Sequence, residues 1–538
     1  MRSCLLGNAM DNASSATSAS VVPAVSVGQS VVSAPDYPDK IDARLLWIGA
    51  VCGLAGMMGH LDGTAVAVAQ RTFAAEFGST QAVVSWTMAG YMLAFAAVVP
   101  VTGWAADRFG TKRLFTGGVL MFTLASLLCT IAPNMFPLII FRVLQGCGGG
   151  ITTPLCFVIL TRESGPKRLG RLVAIGAVPF LLGPVGGPIL GGWLIDSYGW
   201  KWIFLINLPI GLSAFAVAAV MFPKDRPAPS ETPDVTGMLL LSPGMAILLA
   251  GLSSTPGRRA IADHHVLIPS LIGLALIVAF VVHAWRRADA PLIDLRLFKN
   301  RMVRQANVTL LIFAATYVGV LLLVSSYFQV ALHQTPMQSG MHLIAMGIGI
   351  VLTTPFAGAF MDRYGPSKIV LLAFRLMAAG LVVFTIGVAR QTGYSPTLLV
   401  GLMLVGMGVG CAATPLFAAC VLSLAPHQIA RGTTLRSVNN QLGGAFGAAL
   451  VTVLLTNQLN RHEDVAPTNN PVPVDPSAIP PQTSGIANAA SHHLVHAYTV
   501  VFGAAAALAV GAIVAAAFLP TRSARLNDAN VAGAESLA

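Results

Sequence analysis

The chain is a succession of apolar runs, each about 18 to 25 residues long, the length that carries a helix across a hydrocarbon core about 30 Å thick. They fall near residues 45–69, 82–102, 114–133, 137–160, 170–194, 201–222, 235–253, 266–286, 307–328, 340–360, 368–389, 397–421, 434–456 and 497–519. In lipid the backbone polar groups must be satisfied inside helices or a closed barrel, and runs of this length without two-residue alternation are helices. Only 10% of the 538 residues are charged and 55% are hydrophobic, against roughly 25% charged in soluble domains. The expected fold class is an all-α polytopic membrane protein with about fourteen transmembrane helices.

The net charge of +11 does not point to nucleic acid, because the basic residues are dispersed through short loops rather than gathered on one face. They follow the positive-inside pattern. Alternate loops hold Arg108, Lys112 and Arg113, then Arg162, Lys167, Arg168 and Arg171, then the stretch from Arg286 to Arg304, then Arg363 and Lys368. The opposite loops hold scattered basic residues such as Arg71, Lys201 and Arg390. Both termini are therefore expected on the cytoplasmic side of the inner membrane. Residues 1–40 carry no cleavage pattern and are expected to be a disordered tail before a retained first helix; 521–538 form a second tail. The Pro- and Asn-rich stretch 458–496 is expected to be a long external loop. Six of the seven cysteines lie in apolar runs without Cys-x-x-Cys spacing, and neither His-Glu-x-x-His nor a serine nucleophile elbow occurs. No metal site and no enzyme are expected.

Two loops echo one another. Gly103-Trp-Ala-Ala-Asp107-Arg108-Phe-Gly110 is followed by Lys112 and Arg113, and Gly358-Ala-Phe-Met-Asp362-Arg363-Tyr-Gly365 by Lys368. Such a repeat between spanning segments indicates two related halves. The first copy follows the second run and the second follows the tenth, which fits six plus two plus six. The expected organisation is an N-terminal bundle over 41–222, two extra helices and a basic loop over 223–304, and a C-terminal bundle over 305–520. Each loop is read as a gate in which the Asp accepts hydrogen bonds from a neighbouring helix N-terminus and Gly permits the turn. A purely topogenic basic loop explains the Arg and Lys but not the Asp.

Asp62, in His60-Leu-Asp62-Gly-Thr64, sits well inside the first run, where a charged carboxylate is costly and a functional site is the default reading. An acid reached by water from alternate sides suits proton coupling; a structural hydrogen bond to a neighbouring helix is the alternative. His60 points to a different helix face and reads as a packing or pore-lining residue. In the fourth run Arg142 precedes Gln145, Gly146, Gly148, Gly149 and Gly150; it either tunes an acid such as Asp62 or caps carbonyls. In the fifth run Gly183, Gly187 and Gly191 give one smooth face beside Gly192, and Pro184 and Pro188 favour a bend. Expected cavity residues are Trp86, Tyr91, Asn307, Tyr317, Gln329, Asn440 and Gln441, with Arg436 and Asn439 in the same polar cluster.

Taken together, Leu61 to Thr64, Gly103 to Arg113, Arg142 to Gly150 and Gly183 to Gly192 resemble signatures of the major facilitator superfamily, and within it the fourteen-helix drug:proton antiporters of the DHA2 type, over roughly residues 45 to 460. The resemblance implies two six-helix bundles rocking about a central cavity, proton-driven export of amphipathic molecules, Asp62 and Arg142 as proton-coupling residues, and the fifth-helix motif as a determinant of direction. It implies no cofactor beyond the proton gradient. The partners expected are a small-molecule substrate, protons and the bilayer, with the chain acting as a monomer and a periplasmic adaptor protein left open. Ala67, Arg71 and Lys201 depart from the residues usual in the family (Asn, Pro and Arg), which bears on cavity chemistry and hence on substrate.

Overall fold

The computed structural model describes residues 41–223, 233–253, 264–287, 291–390, 396–424, 428–459 and 484–519. Among them thirteen helices are long and apolar enough to span a membrane, and one bent pair supplies a fourteenth. In chain order they are α1 (Ala43–Glu76), α2 (Trp86–Phe109), α3 (Thr111–Thr130), α4 (Met135–Ser164), α5 (Arg168–Pro184 with Gly186–Tyr198), α6 (Trp202–Met221), α7 (Val235–Leu252), α8 (Val266–Arg286), α9 (Arg301–Ala331), α10 (Met337–Met361), α11 (Pro366–Ala389), α12 (Pro396–Val421), α13 (Ile429–Leu459) and α14 (His492–Ala517). This is the all-α polytopic fold expected.

Local chemistry sets the helix ends. Asp42 starts α1 by accepting from Leu45 N at 3.0 Å, and Asn300 starts α9 by accepting from Met302 N at 2.9 Å, each satisfying a donor that the first turn leaves open. The first helix runs on to Glu76, past the apolar run that ended near 69, because no breaker intervenes before Gly78, whose φ is +56°. The external loop expected over 458–496 is shorter than that. Helix continues to Leu459 and resumes at Ser484, since Ala487, Ala489 and Ala490 favour helix whatever their weak hydropathy. The rest of that loop and the tails 1–40 and 521–538 lie outside the described residues.

The two extra spans pack on one another and lean on both halves. Leu241 and Met245 of α7 and Phe280 of α8 share a buried cluster with Val99 of α2, Val303 of α9 and Leu435 of α13. The other face of α8, with Leu271, Ile272, Leu274 and Val278, is exposed, as a lipid-facing surface must be.

Asp234, which no sequence pattern singled out, ties this hairpin to the chain that follows. Its Oδ1 accepts from Gly237 N at 3.0 Å and Arg287 Nη1 at 3.2 Å and lies 2.9 Å from His283 Nε2, and its Oδ2 accepts from Leu292 N at 3.0 Å. Burial pushes this carboxyl upward, but the donors, Gly237 first, outweigh it and hold it below the usual carboxylate range. A depressed acid contributes stability that is present above its unfolded value, about 3.9, and lost as pH falls through its folded one. Asp234→Ala should therefore destabilise the detergent-solubilised protein by about 1–3 kcal/mol at neutral pH, having left buried donors unpaired. The gap to the wild type should close only below about pH 4. Thermal unfolding at pH 7 and pH 3.5 measures it, and a gap unchanged at pH 3.5 would refute the assignment.

The two halves meet at both ends. A Cβ on Gly103 of α2 would lie 2.5 Å from Thr434 Oγ1 of α13, and one on Gly358 of α10 would lie 2.5 Å from Gly170 O of α5. At the far end Gly340 of α10 stands against Pro188 of α5, 3.0 Å from where its own Cβ would be.

Candidate functional site

Five spans of the first half converge on Asp62. Arg142 Nη1 of α4 donates a short ion-pair hydrogen bond to Asp62 Oδ2 of α1, and both side chains are fully buried. Asp62 Oδ1 accepts from Gln145 Nε2 of α4 and from Asn207 Nδ2 of α6, each at 3.0 Å. Both amides also donate to Ser126 Oγ of α3, at 3.1 and 3.0 Å, and that hydroxyl donates to Phe204 O at 3.0 Å. Arg142 is held further by Gln145 Oε1 at 2.6 Å, by Thr87 O of α2 at 3.0 Å and by the Tyr91 ring, whose centroid lies 4.4 Å from its guanidinium carbon. The Tyr91 hydroxyl donates in turn to Gly59 O of α1 at 3.2 Å.

Why the helices come this close is written in their small residues. Gly146 of α4 faces the backbone of Tyr91, and Gly148 faces the backbone of Phe122 in α3, where any side chain would collide. The desolvation cost of the pair is several kcal/mol per ion, and it is offset only because the carboxylate receives three donors and the guanidinium finds acceptors and an aromatic face. Arg142 Nη2 and Asn207 Oδ1 nevertheless make no hydrogen bond. The network is therefore tight around the acid and incompletely satisfied at its rim.

The fifth-span motif lies against the same stretch of α1. Gly183 faces Met57 O and His60, Gly187 faces Leu61 O and Thr64, and Gly191 faces Ala65, while Gly192 touches Met337 of α10 at the far end. The helix bends by 52° between Pro184 and Gly186, so proline and glycine act where the acid sits. Pro188 lies beyond the bend. His60 packs edge-on against Phe180, with centroids 4.4 Å apart, and takes no part in the Asp62 network.

The two repeated loops are built alike. Gly110 (φ +96°) and Gly365 (φ +83°) each join two helices as a single residue. A partner that spacing did not announce for Asp107 is Arg162 of α4, at 3.0 Å, whose other nitrogen reaches Thr111 Oγ1 at 2.7 Å. Lys112 Nζ donates to Phe222 O at 3.1 Å, Arg108 is half-buried, and Arg113 is exposed. Arg363 lies over the Tyr364 ring at 5.3 Å, and the Asp362 side chain is outside the described residues. Gly103 of the first loop and Gly358 of the second stand against helices of the opposite half.

Of the cavity residues expected, only Tyr91 joins the Asp62 network. Trp86 is 53% exposed at the start of α2. Asn307 is buried between α9 and α13, its carbonyl oxygen accepting from Asn439 Nδ2 at 2.6 Å. Tyr317 stacks on Phe313 with its hydroxyl unpartnered, Gln329 donates to Ser325 Oγ at 2.9 Å, and Asn440 and Gln441 are half-buried on α13. The pattern did not assign Gln145, Asn207 or Ser126. Gln145 and Asn207 were detectable as amides inside apolar runs; Ser126 carries no such signal, because a serine usually satisfies itself on its own helix.

In the second half, Arg436 of α13 is 9% exposed. Its guanidinium carbon lies 4.2 Å from the Phe157 centroid of α4 and 5.1 Å from the Phe417 centroid of α12. Cation–π contacts supply about 2 kcal/mol or more when desolvated, less than the several kcal/mol that burying an unpaired ion costs.

Up to fourteen spanning helices and a buried acid–arginine network between them define a polytopic membrane protein of the transporter class. The chain belongs to the Major Facilitator Superfamily, whose model matches residues 46–448 and again 306–535. It is 56% identical over 531 residues to the Multidrug resistance protein B homolog of Mycobacterium tuberculosis (strain ATCC 25618 / H37Rv), covering 97% of this chain and 98% of that one. It is 28% identical over 428 residues to the Multidrug export protein EmrB of Haemophilus influenzae, covering 79% and 83%. The solved proton:xylose symporter XylE shares the fold with a TM-score of 0.55 at 13% identity, covering 89% of this chain and 96% of that one.

Proposed function

We propose that this protein is a proton-coupled antiporter that exports amphipathic small molecules across the cytoplasmic membrane by alternating access, a multidrug efflux permease. The observation that carries the reading is the buried Asp62–Arg142 pair, held by Gln145 and Asn207 on a helix that packs against the bent α5. Protonating Asp62 removes the counter-ion of Arg142, so the guanidinium and the two amides must rearrange. Because α1 touches Gly183, Gly187 and Gly191, that rearrangement is felt where α5 bends. The names of the relatives support export of drugs as the direction and cargo.

In this reading Asp62 and Arg142 couple protons, the loops around Asp107 and Asp362 gate the cytoplasmic side, and both termini lie in the cytoplasm. The chain works as a monomer without a cofactor, drawing on the proton gradient; an adaptor protein docking at the outer face belongs to the same reading. Each proton moving down 100 mV supplies about 2.3 kcal/mol, enough to sustain a useful concentration gradient.

The test is flux in proteoliposomes carrying a pH gradient, with a panel of anionic, cationic and neutral amphiphiles. Accumulation should depend on the gradient and be accompanied by proton movement in the opposite direction. Flux equal to that of protein-free liposomes across the panel would overturn the reading.

A further inference from the structure

The second half holds a charge that the Asp62 network does not use. Arg436 is nine-tenths buried, its Nε makes no hydrogen bond, and no carboxylate pairs with it among the described residues. Its surroundings are also unusual. The hydroxyls of Thr433 and Ser437 on the same helix, and of Thr414 on α12, are buried without partners. Elsewhere in the protein a helical threonine donates to the carbonyl four residues before it, as Thr309, Thr316, Thr354 and Thr385 do. Those around Arg436 forgo that bond, so their hydrogens remain free for another acceptor.

Thr433, Arg436 and Ser437 stand three and four residues apart and share a helix face. Thr414 lies three residues before Phe417, one of the two rings that Arg436 covers. The other ring, Phe157, belongs to the first half, and from it a line of aromatic contacts continues to Phe180, at 5.6 Å, and from Phe180 to His60, at 4.4 Å. One end of this seam is therefore a permanent cation among hydroxyl donors. The remainder is an apolar wall running toward the helix that carries Asp62.

We infer that Arg436 binds the carboxylate of an amphipathic anionic substrate, whose apolar tail lies along Phe157 and Phe180. This rests on the export reading, since it names a substrate class for the same central seam. A cationic cargo has no partner at Arg436. A carboxylate has a guanidinium and several hydroxyls to accept from.

The test is equilibrium binding to the full-length protein in nanodiscs of neutral lipid, with three probes of one chain length: dodecanoate, dodecanol and dodecyltrimethylammonium. The wild type should prefer dodecanoate to dodecanol by about tenfold or more, as a site with buried donors does. Arg436→Gln should abolish that preference while leaving dodecanol and the cation within about twofold, and Arg436→Lys should retain part of it. If Arg436→Gln does not fold, the wild-type comparison decides alone. Equal wild-type affinities, an unchanged preference in Arg436→Gln, or a response to phosphatidylglycerol in the disc with none to dodecanoate would each overturn the proposal. Proton-driven flux of cations or neutral compounds without any preference for dodecanoate overturns this site and leaves export standing. Binding of dodecanoate through Arg436 without flux of any probe does the reverse.

Discussion

Asp62→Asn should leave a protein that inserts in the membrane and still exchanges bound substrate, but that no longer accumulates it against a pH gradient. The side chain keeps its size and one oxygen to accept from Gln145 and Asn207, which lie at 3.0 Å. What it loses is the charge opposite Arg142, so the variant mimics a neutral carboxyl at this position. Breaking a buried pair from one side costs about 3–5 kcal/mol, and a lowered unfolding temperature in detergent is part of the expected result. Gradient-driven transport should fall by at least about 100-fold, equivalent to about 2.7 kcal/mol, while exchange at equal pH falls far less. Everted vesicles loaded by a pH jump, compared with counterflow in the same vesicles, separate the two quantities. Full retention of gradient-driven export would sink the role of Asp62.

Gly187→Val should separate α1 from α5 and abolish both tight packing and transport. A Cβ at this position would fall inside the Thr64 hydroxyl and lie 2.8 Å from Leu61 O, a backbone atom that cannot swing aside. Overpacking of this kind costs typically about 1–3 kcal/mol, and here the strain falls next to the acid. Gly186 is the internal control, since nothing lies within 4 Å of a Cβ built on it. Gly186→Ala should be neutral or stabilising by about 0.5–1 kcal/mol, the usual effect of removing a helix-interior glycine. Unfolding temperature and flux for the two variants make the comparison; equal losses in both would show that the contact with α1 is not what matters at this turn.

The architecture was legible because length and hydropathy are what a bilayer selects. Fourteen apolar runs became thirteen spanning helices and one bent pair, and the bend fell where Pro184 and the neighbouring glycines suggested. Boundaries moved where helix propensity outlasted hydropathy, as at Glu76 and Ser484. The site was legible in part. Asp62 and Arg142 declare themselves by the expense of burying charge, but their contact joins residues eighty positions apart, and spacing within one helix says nothing of that. Gln145 and Asn207 needed the packing of α4 and α6 to acquire meaning, and Asp234 needed the fold of the segment after α8. Polarity within an apolar run marks residues such as Asn307 but not their partners: its side-chain amide donates to Val303 O of its own helix, and its backbone carbonyl accepts from Asn439.

The single-glycine joints at Gly110 and Gly365 have a mechanical meaning. With no slack between Phe109 and Thr111, α2 and α3 share one elbow, and α10 and α11 share another. Each elbow joins two arms about 30 Å long. A tilt of ten degrees at the elbow sweeps the far tip through about 5 Å, one helical turn. Small adjustments beside Gly103 and Gly358 are thereby magnified at the opposite face, and lengthening either joint with flexible residues would let the arms move out of step.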